Sequence, residues 1–412
     1  MQPRAELIAL FRDVVAALSA ERLVREACAA GRAPRPARGG RLAALGLGKA
    51  AAEMLAGARA ALGDDLEPLA FAVPAGSGGG VLIEGGHPLP DAGSLGAGEA
   101  LLRAASSLEP DNAALLLVCG GGSSLAEAPR SPLGLEEIRA VNDALVRSGA
   151  PIEEMNCVRA HLSRLKGGGL ARALHAAGVR RTRALVLVDV PQGGAAAVSS
   201  GPAAADPTTF ADAREIVRRR AIALPAPAKQ LLEGGPAEET LKPGDPADFI
   251  EHVVLCDMRG PALEAVRLSK WPSRMGPLVH GPVAELAREY AREVARPGLF
   301  AASGEPELTV PADAPPGGRA QHLALLMARA LRGKPAAFLA AGTDGRDGPT
   351  SAAGAVVDGS TWEDAERRGL HPDDAISRFD AAACLQAVCA TIPVFRSGAH
   401  AGELHLLVSQ RP

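Results

Sequence analysis

The sequence predicts an α/β fold built from two domains. Helical and strand patterns alternate along the whole chain, which is typical of helices layered on sheets. With 412 residues, the chain is also longer than one ordinary hydrophobic core supports. Several apolar strand patterns end directly in glycine-rich or aspartate-containing loops, and α/β enzymes place ligand chemistry at such strand ends.

The first part of the chain shows strands whose ends carry small or acidic residues. A Pro-, Gly- and acid-rich stretch at 221–250 follows and is interpreted as a linker or extended crossover. The predicted elements are one or two helices over 5–30, strand Arg41–Leu45, helix Lys49–Leu62, strand Leu115–Cys119, helices Glu136–Arg147 and Ile152–Leu165, and strand Ala184–Val188.

A second alternating region begins near residue 253. Its predicted elements are strands Val253–Cys256, Leu299–Ala302, Glu307–Val310, Ala336–Leu339 and Leu404–Val408, with helices Pro261–Ser269, Val283–Val294, Arg319–Leu331 and Ala381–Thr391 between them. The predicted boundaries are therefore 1–235 for the first domain, 236–298 for a linker and crossover, and 299–412 for the second domain.

Composition excludes several classes of protein. A hydrophobic content of 47%, a charged content of 22% and a net charge of −3 describe a soluble protein without nucleic-acid affinity. Charged residues near the N-terminus exclude a signal peptide, and no apolar run reaches the ~18 residues of a membrane helix. The six cysteines form no C-x-x-C pair, so we expect buried thiols in a reducing cytoplasm.

The strand pattern Ala336–Leu339 opens into a loop rich in glycine and acid. Asp344, Asp347 and Asp358 lie within it. Glycines allow close approach of the backbone to a ligand, and short carboxylates suit Mg²⁺. The alternative is a tight turn, because Asp-Gly is also a common turn dipeptide.

Two further loops fit anion binding. Gly46–Ala50 places Lys49 between a strand and a helix, where backbone N–H groups attract anions, although the spacing is not that of a Walker A loop. Gly120–Ser124 follows a buried strand, and its glycines permit a concave nest of N–H groups beside two hydroxyls. The alternatives are a strand–helix turn with an exposed lysine, and a flexible loop.

Charged residues complete the pattern. Arg159, His161 and Lys166 concentrate positive charge on one helical segment, although ordinary helix capping favours the same residues and His161 suits a structural role. Asp189 ends an apolar strand, where it serves either chemistry or a turn. Anion-binding loops, basic side chains and separated aspartates together indicate an enzyme that handles phosphate.

The motifs resemble those of the glycerate 2-kinase family, in family order and over nearly the whole chain. They lie at Gly46–Met54, Gly85–Gly93, Cys119–Leu125, Asn156–Ala171, Ser199–Ala213, Ser303–Val310, Gly317–Gln321 and Ala340–Thr350. The resemblance implies a Rossmann-like N-terminal domain and a smaller C-terminal α/β domain called MOFRL, with the active site between them. It also implies a cytoplasmic enzyme that phosphorylates D-glycerate with ATP and Mg²⁺. A homodimer is a further expectation.

The resemblance also assigns roles to residues. Lys49, Asp189 and Arg319 are the expected catalytic residues, and Asp344 and Asp347 are the expected metal ligands. The residues expected to bind substrate or phosphate are Gly48, Gly121, Gly122, Ser123, Asn156, Arg159, His161, Lys166, Ser200, Glu305, Gln321 and Thr343.

The chain departs from the family pattern at several of these motifs. The family usually has lysine at Ala160, two acids at Gly193 and Gly194, and asparagine at Ala320, while its N-N-D motif reads Arg378–Asp380. The usual T-G-T-N-V-x-D loop reads Ser397–Glu403. Because family members expose several of these positions in the cleft, altered specificity or a degraded kinase is expected.

Three functions remain open at this point. The first is an ATP- and Mg²⁺-dependent kinase that acts on D-glycerate or a related small hydroxy acid. The second is a non-catalytic or specificity-shifted relative that binds a ligand. The third is hydroxypyruvate reductase, a name that the family sometimes carries, but the chain lacks a full G-x-G-x-x-G with an acid ~20 positions on.

Overall fold

The computed structural model describes residues 2–190, 193–234 and 238–410. They divide into two compact units. The first unit is Ala20–Leu255, and the second combines Met1–Ser19 with Cys256–Pro412. In the described residues, no helix combines the length and the apolar character that crossing a bilayer requires.

Helices and strands are labelled in chain order. The helices are α1 Gln2–Ala17, α2 Ala20–Ala29, α3 Ala51–Leu62, α4 Ala92–Ser106, α5 Gly122–Leu125, α6 Leu135–Arg147, α7 Ile152–His161, α8 Gly169–Ala176, α9 Gly194–Ala197, α10 Phe210–Arg219, α11 Ala226–Gly234, α12 Gly260–Leu268, α13 Val283–Glu293, α14 Arg319–Leu331, α15 Thr361–Arg367, α16 Pro372–Ser377 and α17 Ala381–Ala387. The strands are β1 Leu42–Leu47, β2 Leu66–Pro74, β3 Leu82–Gly85, β4 Ala113–Val118, β5 Arg181–Leu187, β6 Glu251–Cys256, β7 Ser273–Met275, β8 Gly298–Gly304, β9 Ala336–Gly342, β10 Ala352–Asp358, β11 Thr391–Pro393 and β12 Glu403–Ser409.

The first unit contains a sheet with the order β3-β2-β1-β4-β5-β6. Neighbouring strands from β3 to β5 pair in parallel. The chain winds outward from β1 in one direction through β2 and β3, and in the other through β4 and β5. The order therefore reverses between β1 and β4, which is the switch point of a Rossmann-type sheet. The predicted α/β fold with a parallel sheet is confirmed.

Strands β1 and β4 are buried along their whole length. Helices cover both faces of a parallel sheet, so such strands are continuously apolar rather than alternating. Gly46 is the one residue of β1 without a side chain, and the reason is steric, since a Cβ there would lie 2.5 Å from the ring of Phe71.

The second unit contains a mixed sheet with the order β11-β10-β9-β12-β8-β7. Only β7 and β8 pair in parallel within the described register, and the others are antiparallel. Helix α14 packs on one face, where Leu323 lies in the same buried cluster as Phe338. Helix α1 covers the other face through Leu7 and Phe11.

The observed units differ from the predicted boundaries. Helix α1 packs with the second unit, and β6 at 251–256 belongs to the first sheet, so the division falls at 255/256. The stretch 221–250 is also more than a linker. It contains α11 and buries Leu241, because its apolar side chains complete the core of the first unit.

Two local predictions are wrong in the second unit. Glu307–Val310 forms only an isolated bridge between Pro282 and Glu307, because the prolines that follow cannot continue a ladder. Conversely, seven of the 20 residues of the predicted Asp/Gly loop at 340–359 form strand β10, whose apolar run from Ala352 is buried against β9.

The contact between α2 and α3 depends on Gly57. A Cβ at Gly57 would lie 2.1 Å from the backbone oxygen of Glu21. We therefore predict that Gly57→Ala lowers the free energy of unfolding by about 1–3 kcal/mol, although alanine favours helices. Gly96→Ala on α4 is the matched control, because a Cβ there meets nothing within 4 Å, and it should stabilise the unit by about 0.5–1 kcal/mol. Urea unfolding followed by far-UV circular dichroism measures both, and equal effects of the two variants would contradict the prediction.

Candidate functional site

The loops after β1 and β4 meet at the switch point of the first sheet. The backbone N–H of Lys49 donates to the carbonyl of Gly120 at 2.8 Å, and that of Gly48 donates to Ala72 at 3.1 Å. Gly48 has φ +127°, and a Cβ there would lie 2.4 Å from the Sγ of Cys119. Only glycine therefore allows this approach.

The side chain of Lys49 runs across Gly121. A Cβ on Gly121 would lie 2.8 Å from Lys49 Cγ and 3.1 Å from Lys49 Cε, and the φ of Gly121 is +84°. Any side chain at 121 would displace the lysine. We call Gly120–Ser124 the glycine loop. It supports an exposed ammonium group beside a turn of backbone that glycine alone adopts easily.

Three predicted binding residues form one hydrogen-bonded group beside the glycine loop. The hydroxyls of Ser123 and Ser200 lie 2.8 Å apart, and the Ser200 hydroxyl donates to Asn156 Oδ1 at 2.9 Å. The Asn156 amide donates to the carbonyl of Ala197 at 3.4 Å. The structure thus brings together side chains from three separate motifs.

Ser199 also belongs to this site, although it was not among the predicted residues. Its hydroxyl donates to the carbonyl of Cys119 at 2.7 Å. Ser199 and Ser200 have φ of +55° and +59°, and left-handed non-glycine residues cost about 1–3 kcal/mol each. A Cβ on Gly122 would lie 2.3 Å from Ser199 Oγ, so this glycine admits the strained serine turn. The S-S-G-P motif was the sequence feature that could have identified Ser199 as a site residue.

Asp189 reaches the same edge of the sheet. It lies two residues after β5, and its Oδ2 would be 1.5 Å from a Cβ on Gly120. The carboxylate therefore lies against the first glycine of the glycine loop. The sequence predicts only that Asp189 ends an apolar strand, and its position beside the glycine loop is a finding of the structure.

His161 and Arg159 make their hydrogen bonds to other protein groups. Both ring nitrogens of the fully buried His161 have partners: Nδ1 lies 2.8 Å from the Cys157 carbonyl, and Nε2 lies 3.1 Å from Glu239 Oε2. Arg159 donates to Asn142 at 2.8 Å. Substrate binding by either residue stays a prediction, and the contacts match the structural alternative for His161.

Lys166 forms a buried ion pair with Glu127. Both side chains are at most 3% exposed, and Ser163 donates a further hydrogen bond to Glu127 at 2.6 Å. Burial lowers the pKa of Lys166, while the charge of Glu127 opposes that shift. Removing one partner of such a pair leaves an uncompensated buried charge. Phosphate binding by Lys166 stays a prediction, and the ammonium already has an anionic partner.

In the second unit, Arg319 begins helix α14 and is held by two carboxylates. Its Nε donates to Glu403 at 2.6 Å and its Nη2 donates to Glu305 at 2.8 Å. Burial disfavours the charge of Arg319, but the two glutamates outweigh it and raise the pKa of the guanidinium.

The network continues into the core. His405 Nε2 lies 3.2 Å from the second oxygen of Glu403, and the hydroxyl of Tyr290 lies 3.0 Å from His405 Nδ1. His405 is fully buried, and Tyr290 is only 3% exposed. The orientation of Arg319 is therefore fixed from the interior. Glu403 and His405 lie two residues apart on β12, but Tyr290 lies on α13, 115 positions before His405, so no sequence pattern links all three.

Asp347 holds the start of α14. One of its oxygens accepts from the backbone N–H of Ala320 at 3.1 Å, and the other accepts from the backbone and side-chain N–H groups of Gln321 at 2.8 and 2.9 Å. This is the capping arrangement that satisfies the free N–H groups of a helix terminus. Gln321 is accordingly bound to Asp347 rather than turned to solvent.

The expected metal site does not fit these residues. Both oxygens of Asp347 accept N–H groups, and Asp344 is an exposed turn residue whose Oδ1 accepts from the backbone N–H of Arg346 at 3.0 Å. Among the residues that the structure describes, no three or more His, Cys, Asp and Glu side chains are grouped to hold a metal ion. Mg²⁺ binding by Asp344 and Asp347 remains a prediction without support from this geometry.

Thr343 joins two loops at the same end of the sheet. Its hydroxyl donates to the carbonyl of Gly402 at 2.7 Å and accepts from the N–H of Ala401 at 3.0 Å. The hydroxyl is therefore engaged in fixing the segment that leads into β12.

The departures from the family pattern do not share one environment. Ala320 is fully buried in the core of the second unit. Phe379 has φ +58° and stacks on His322, with ring centroids 5.4 Å apart. Gly193 and Gly194 are exposed and have φ of +80° and +56°. Aspartate at these two positions would have a strained backbone. The two glycines therefore fit a local backbone conformation that the acidic residues of the family pattern would not readily adopt.

The environment of Asp347 predicts a pH dependence of stability. Burial raises the pKa of Asp347 to about 6, so the folded state holds the proton more tightly than the unfolded state does. The contribution of this group to stability therefore falls as the pH rises from about 4 to about 6. Asp347→Asn should destabilise the second unit, because one amide oxygen replaces two acceptors, and the deficit should narrow between pH 4.5 and 7.

Both tryptophans of the chain, Trp271 and Trp362, lie in the second unit. Urea unfolding followed by tryptophan fluorescence therefore measures that deficit in the correct unit. Asp344→Asn is the control from the same loop, and it should destabilise the unit less than Asp347→Asn does, because the exposed Asp344 carboxylate does not hold the start of α14. A deficit of Asp347→Asn that stays constant or widens with pH would contradict the assignment.

Comparison with known proteins gives a consistent family. Residues 6–233 match the domain of unknown function DUF4147, and residues 298–400 match the MOFRL family. The chain is 33% identical to a glycerate 2-kinase of Pyrococcus horikoshii, with 85% of this chain and 83% of that protein covered. It is 37% identical to a putative hydroxypyruvate reductase of Agrobacterium vitis, with the same coverage of both.

A crystal structure of a glycerate kinase from Thermotoga maritima is also similar. The TM-score is 0.88 at 28% identity, and 99% of each chain is covered. The sequence and structural relationships agree over both units of the chain. The chain therefore belongs to the glycerate 2-kinase family, in which a DUF4147 domain is followed by a MOFRL domain.

Proposed function

We propose that this protein transfers the γ-phosphoryl group of ATP to the 2-hydroxyl of D-glycerate, giving 2-phosphoglycerate, or acts in the same way on a closely related small hydroxy acid. The observation that carries the proposal is the position of Lys49. The aliphatic stem of its side chain lies across the glycine loop at the switch point of a parallel sheet, where open α/β folds bind ligands.

Phosphoryl transfer needs positioning and charge stabilisation more than covalent participation. Lys49 supplies a positive charge at this place, because its stem packs against Gly121, and such a charge stabilises the charge on the transferring group. The glycines beside it allow phosphate oxygens to approach backbone N–H groups closely. The hydroxyls of Ser123 and Ser200 lie at the same place, where they bond to each other and Ser200 donates to Asn156.

Asp189 is the proposed acceptor for the proton of the attacking hydroxyl. Its carboxylate lies against Gly120, so it belongs to the same strand ends as Lys49. As the substrate oxygen attacks the γ-phosphorus, its proton passes to the carboxylate, and the bond between the γ-phosphorus and the β–γ bridging oxygen breaks to release ADP. The proton then returns to water.

Arg319 is the second cationic residue of the proposal. The support is the network of Glu305, Glu403 and His405 that fixes its guanidinium at the N-terminus of α14. Its described hydrogen bonds use Nε and Nη2, which leaves the N–H groups of Nη1 for a ligand. A side chain that is fixed from the core retains little rotamer freedom, so binding orders it at little further cost.

The geometry at the end of β2 separates this proposal from a nicotinamide-dependent reductase. Rossmann folds that bind dinucleotides place an acidic residue on the ribose hydroxyls, near the end of the second strand. Here β2 ends at Pro74, and Ala75, Gly76 and Ser77 follow. Oxidation of NAD(P)H with hydroxypyruvate is therefore the negative control for the kinase assays.

Lys49 should be the most sensitive position for turnover. We predict that Lys49→Ala lowers kcat by at least about 100-fold, the usual scale for one lost charged contact in the transition state. Coupled measurement of ADP formation with D-glycerate gives kcat directly. Lys229→Ala removes an exposed lysine that pairs with Glu233 on α11, and it should leave turnover unchanged. Ordinary turnover by Lys49→Ala, with D-glycerate phosphorylated by the wild type, would contradict the role of the residue.

Arg319 should not be replaceable by lysine. A guanidinium binds two carboxylates through separate N–H groups, whereas an ammonium group cannot reproduce that fork. We predict that Arg319→Lys lowers kcat about 100-fold. Arg329→Lys lies on the same helix in an exposed pair with Asp373, and it should change kcat less than twofold. An Arg319→Lys enzyme as active as Arg329→Lys would refute the assignment.

A further inference from the structure

A short exposed loop beside the proposed site has no role so far. We call Gly85–Asp91 the His87 loop, since it presents His87 between β3 and α4. His87, Pro88 and Leu89 are all exposed. Exposed loops of this kind normally have few fixed contacts and high mobility.

The His87 loop is nevertheless closed on itself by a capping box. The hydroxyl of Ser94 accepts from the backbone N–H groups of Gly86 and Asp91, each at 3.0 Å. The side chain of Asp91 accepts from the N–H of Ser94 at 2.9 Å and caps α4. Both ends of the loop are therefore tied to the first turn of one helix.

The loop is also tied to its neighbours. Ser124 in the glycine loop donates to the carbonyl of Pro88 at 2.7 Å, and Arg139 donates to the carbonyl of Pro90 at 2.8 Å. A Cβ on Gly85 would lie 2.2 Å from the backbone oxygen of Leu125. These contacts fix the position of the loop relative to the glycine loop, while its central side chains stay in solvent.

These hydrogen bonds and close contacts place the side chain of His87 beside Lys49. A Cβ on Gly121 would meet His87 Cδ2 at 3.4 Å and Lys49 Cε at 3.1 Å, so the imidazole and the lysine stem flank the same glycine. Among the hydrogen bonds of the described residues, none uses a ring nitrogen of His87. Solvent reaches one side of the ring, but the groups packed around its other side remove part of its water and, with the charge of Lys49 as the second cause, lower the pKa of His87, so the neutral ring with one N–H donor predominates at pH 7.

We propose that His87 is a ligand-contacting residue whose ring N–H donates to an anionic oxygen held by Lys49. The oxygen belongs either to a phosphoryl group of the nucleotide or to the carboxylate of the hydroxy acid. The identity of these two ligands rests on the proposed function, whereas anion binding itself does not.

Two consequences follow from this placement. Loss of a hydrogen bond to a charged group should weaken anion binding about 10- to 100-fold. A bound anion also favours the imidazolium form, so binding should take up a proton and tighten as the pH falls toward the lowered pKa of His87. Charged groups that flank the loop include Lys49, Glu84, Asp91, Arg139 and Asp189, and helices α4 and α6 carry the further charged residues Glu99, Arg103, Glu136, Glu137, Asp143 and Arg147. None is a histidine, so the imidazole is the group whose ordinary titration lies nearest neutrality.

The test measures binding of sulfate, ADP and D-glycerate, each alone, to the full-length protein by calorimetry between pH 5.5 and 7.5. Sulfate mimics a phosphoryl group but keeps a constant charge over this range. Measurements in two buffers of different ionisation enthalpy give the number of protons taken up. The variants are His87→Ala and His87→Gln, with Leu89→Ala as the control from the same loop.

We expect the wild type and Leu89→Ala to bind sulfate more tightly at lower pH, with proton uptake. His87→Ala should bind the relevant anion about 10- to 100-fold more weakly, without the uptake. Glutamine offers an amide donor, so His87→Gln should recover part of the affinity but not the uptake. A defect for sulfate and ADP indicates a phosphoryl contact, and a defect for D-glycerate alone indicates a carboxylate contact.

Several results would overturn the inference. They are unchanged binding of all three ligands by His87→Ala, proton uptake that persists without His87, or no binding of any probe to the wild type. A wild type that binds sulfate through His87 but does not phosphorylate D-glycerate would instead refute the proposed function alone.

Discussion

The close approach of two strand ends is the constraint on which the proposed site depends. The loops after β1 and β4 share the hydrogen bond from Lys49 N–H to the Gly120 carbonyl, and each glycine around it faces an atom that a Cβ would strike. Because the backbone is packed this closely, three side-chain groups lie beside the glycine loop. They are the stem of Lys49, the carboxylate of Asp189 and the hydroxyl of Ser199. The strain at Ser199 and Ser200 is retained in the same place. Backbone strain of this kind concentrates at functional sites.

Much of this arrangement could be predicted from the sequence. A buried parallel strand has a strong apolar signal, and glycine directly after it marks a close approach of the backbone. Lys49, Gly121 and Asp189 were therefore identifiable as strand-end residues, and the sheet brings all three together. Ser123, Asn156 and Ser200 were assigned through the family resemblance, since no local pattern shows that their side chains meet.

The buried charges were harder to predict, because partners that are distant in sequence decide their roles. Glu127 and Lys166 lie 39 positions apart, and Arg319 and Glu403 lie 84 apart. A loop with two aspartates and glycines fits a metal site by composition, yet Asp347 binds the N-terminus of α14 instead. The free N–H groups at the start of a helix attract a carboxylate, and a metal cation attracts the same group. Composition alone does not distinguish the two partners.

The proposed roles of Lys49, Asp189 and Arg319 all serve the transfer of a phosphoryl group to a small hydroxy acid. The most direct measurement is ³¹P NMR of the purified wild-type protein with ATP, D-glycerate and a divalent cation in the buffer. We expect ADP and a new phosphomonoester resonance at the position of authentic 2-phosphoglycerate, both absent when D-glycerate is omitted. ATP that remains intact with D-glycerate and with other small 2-hydroxy acids, while NAD(P)H is oxidised by hydroxypyruvate, would contradict the proposed transfer.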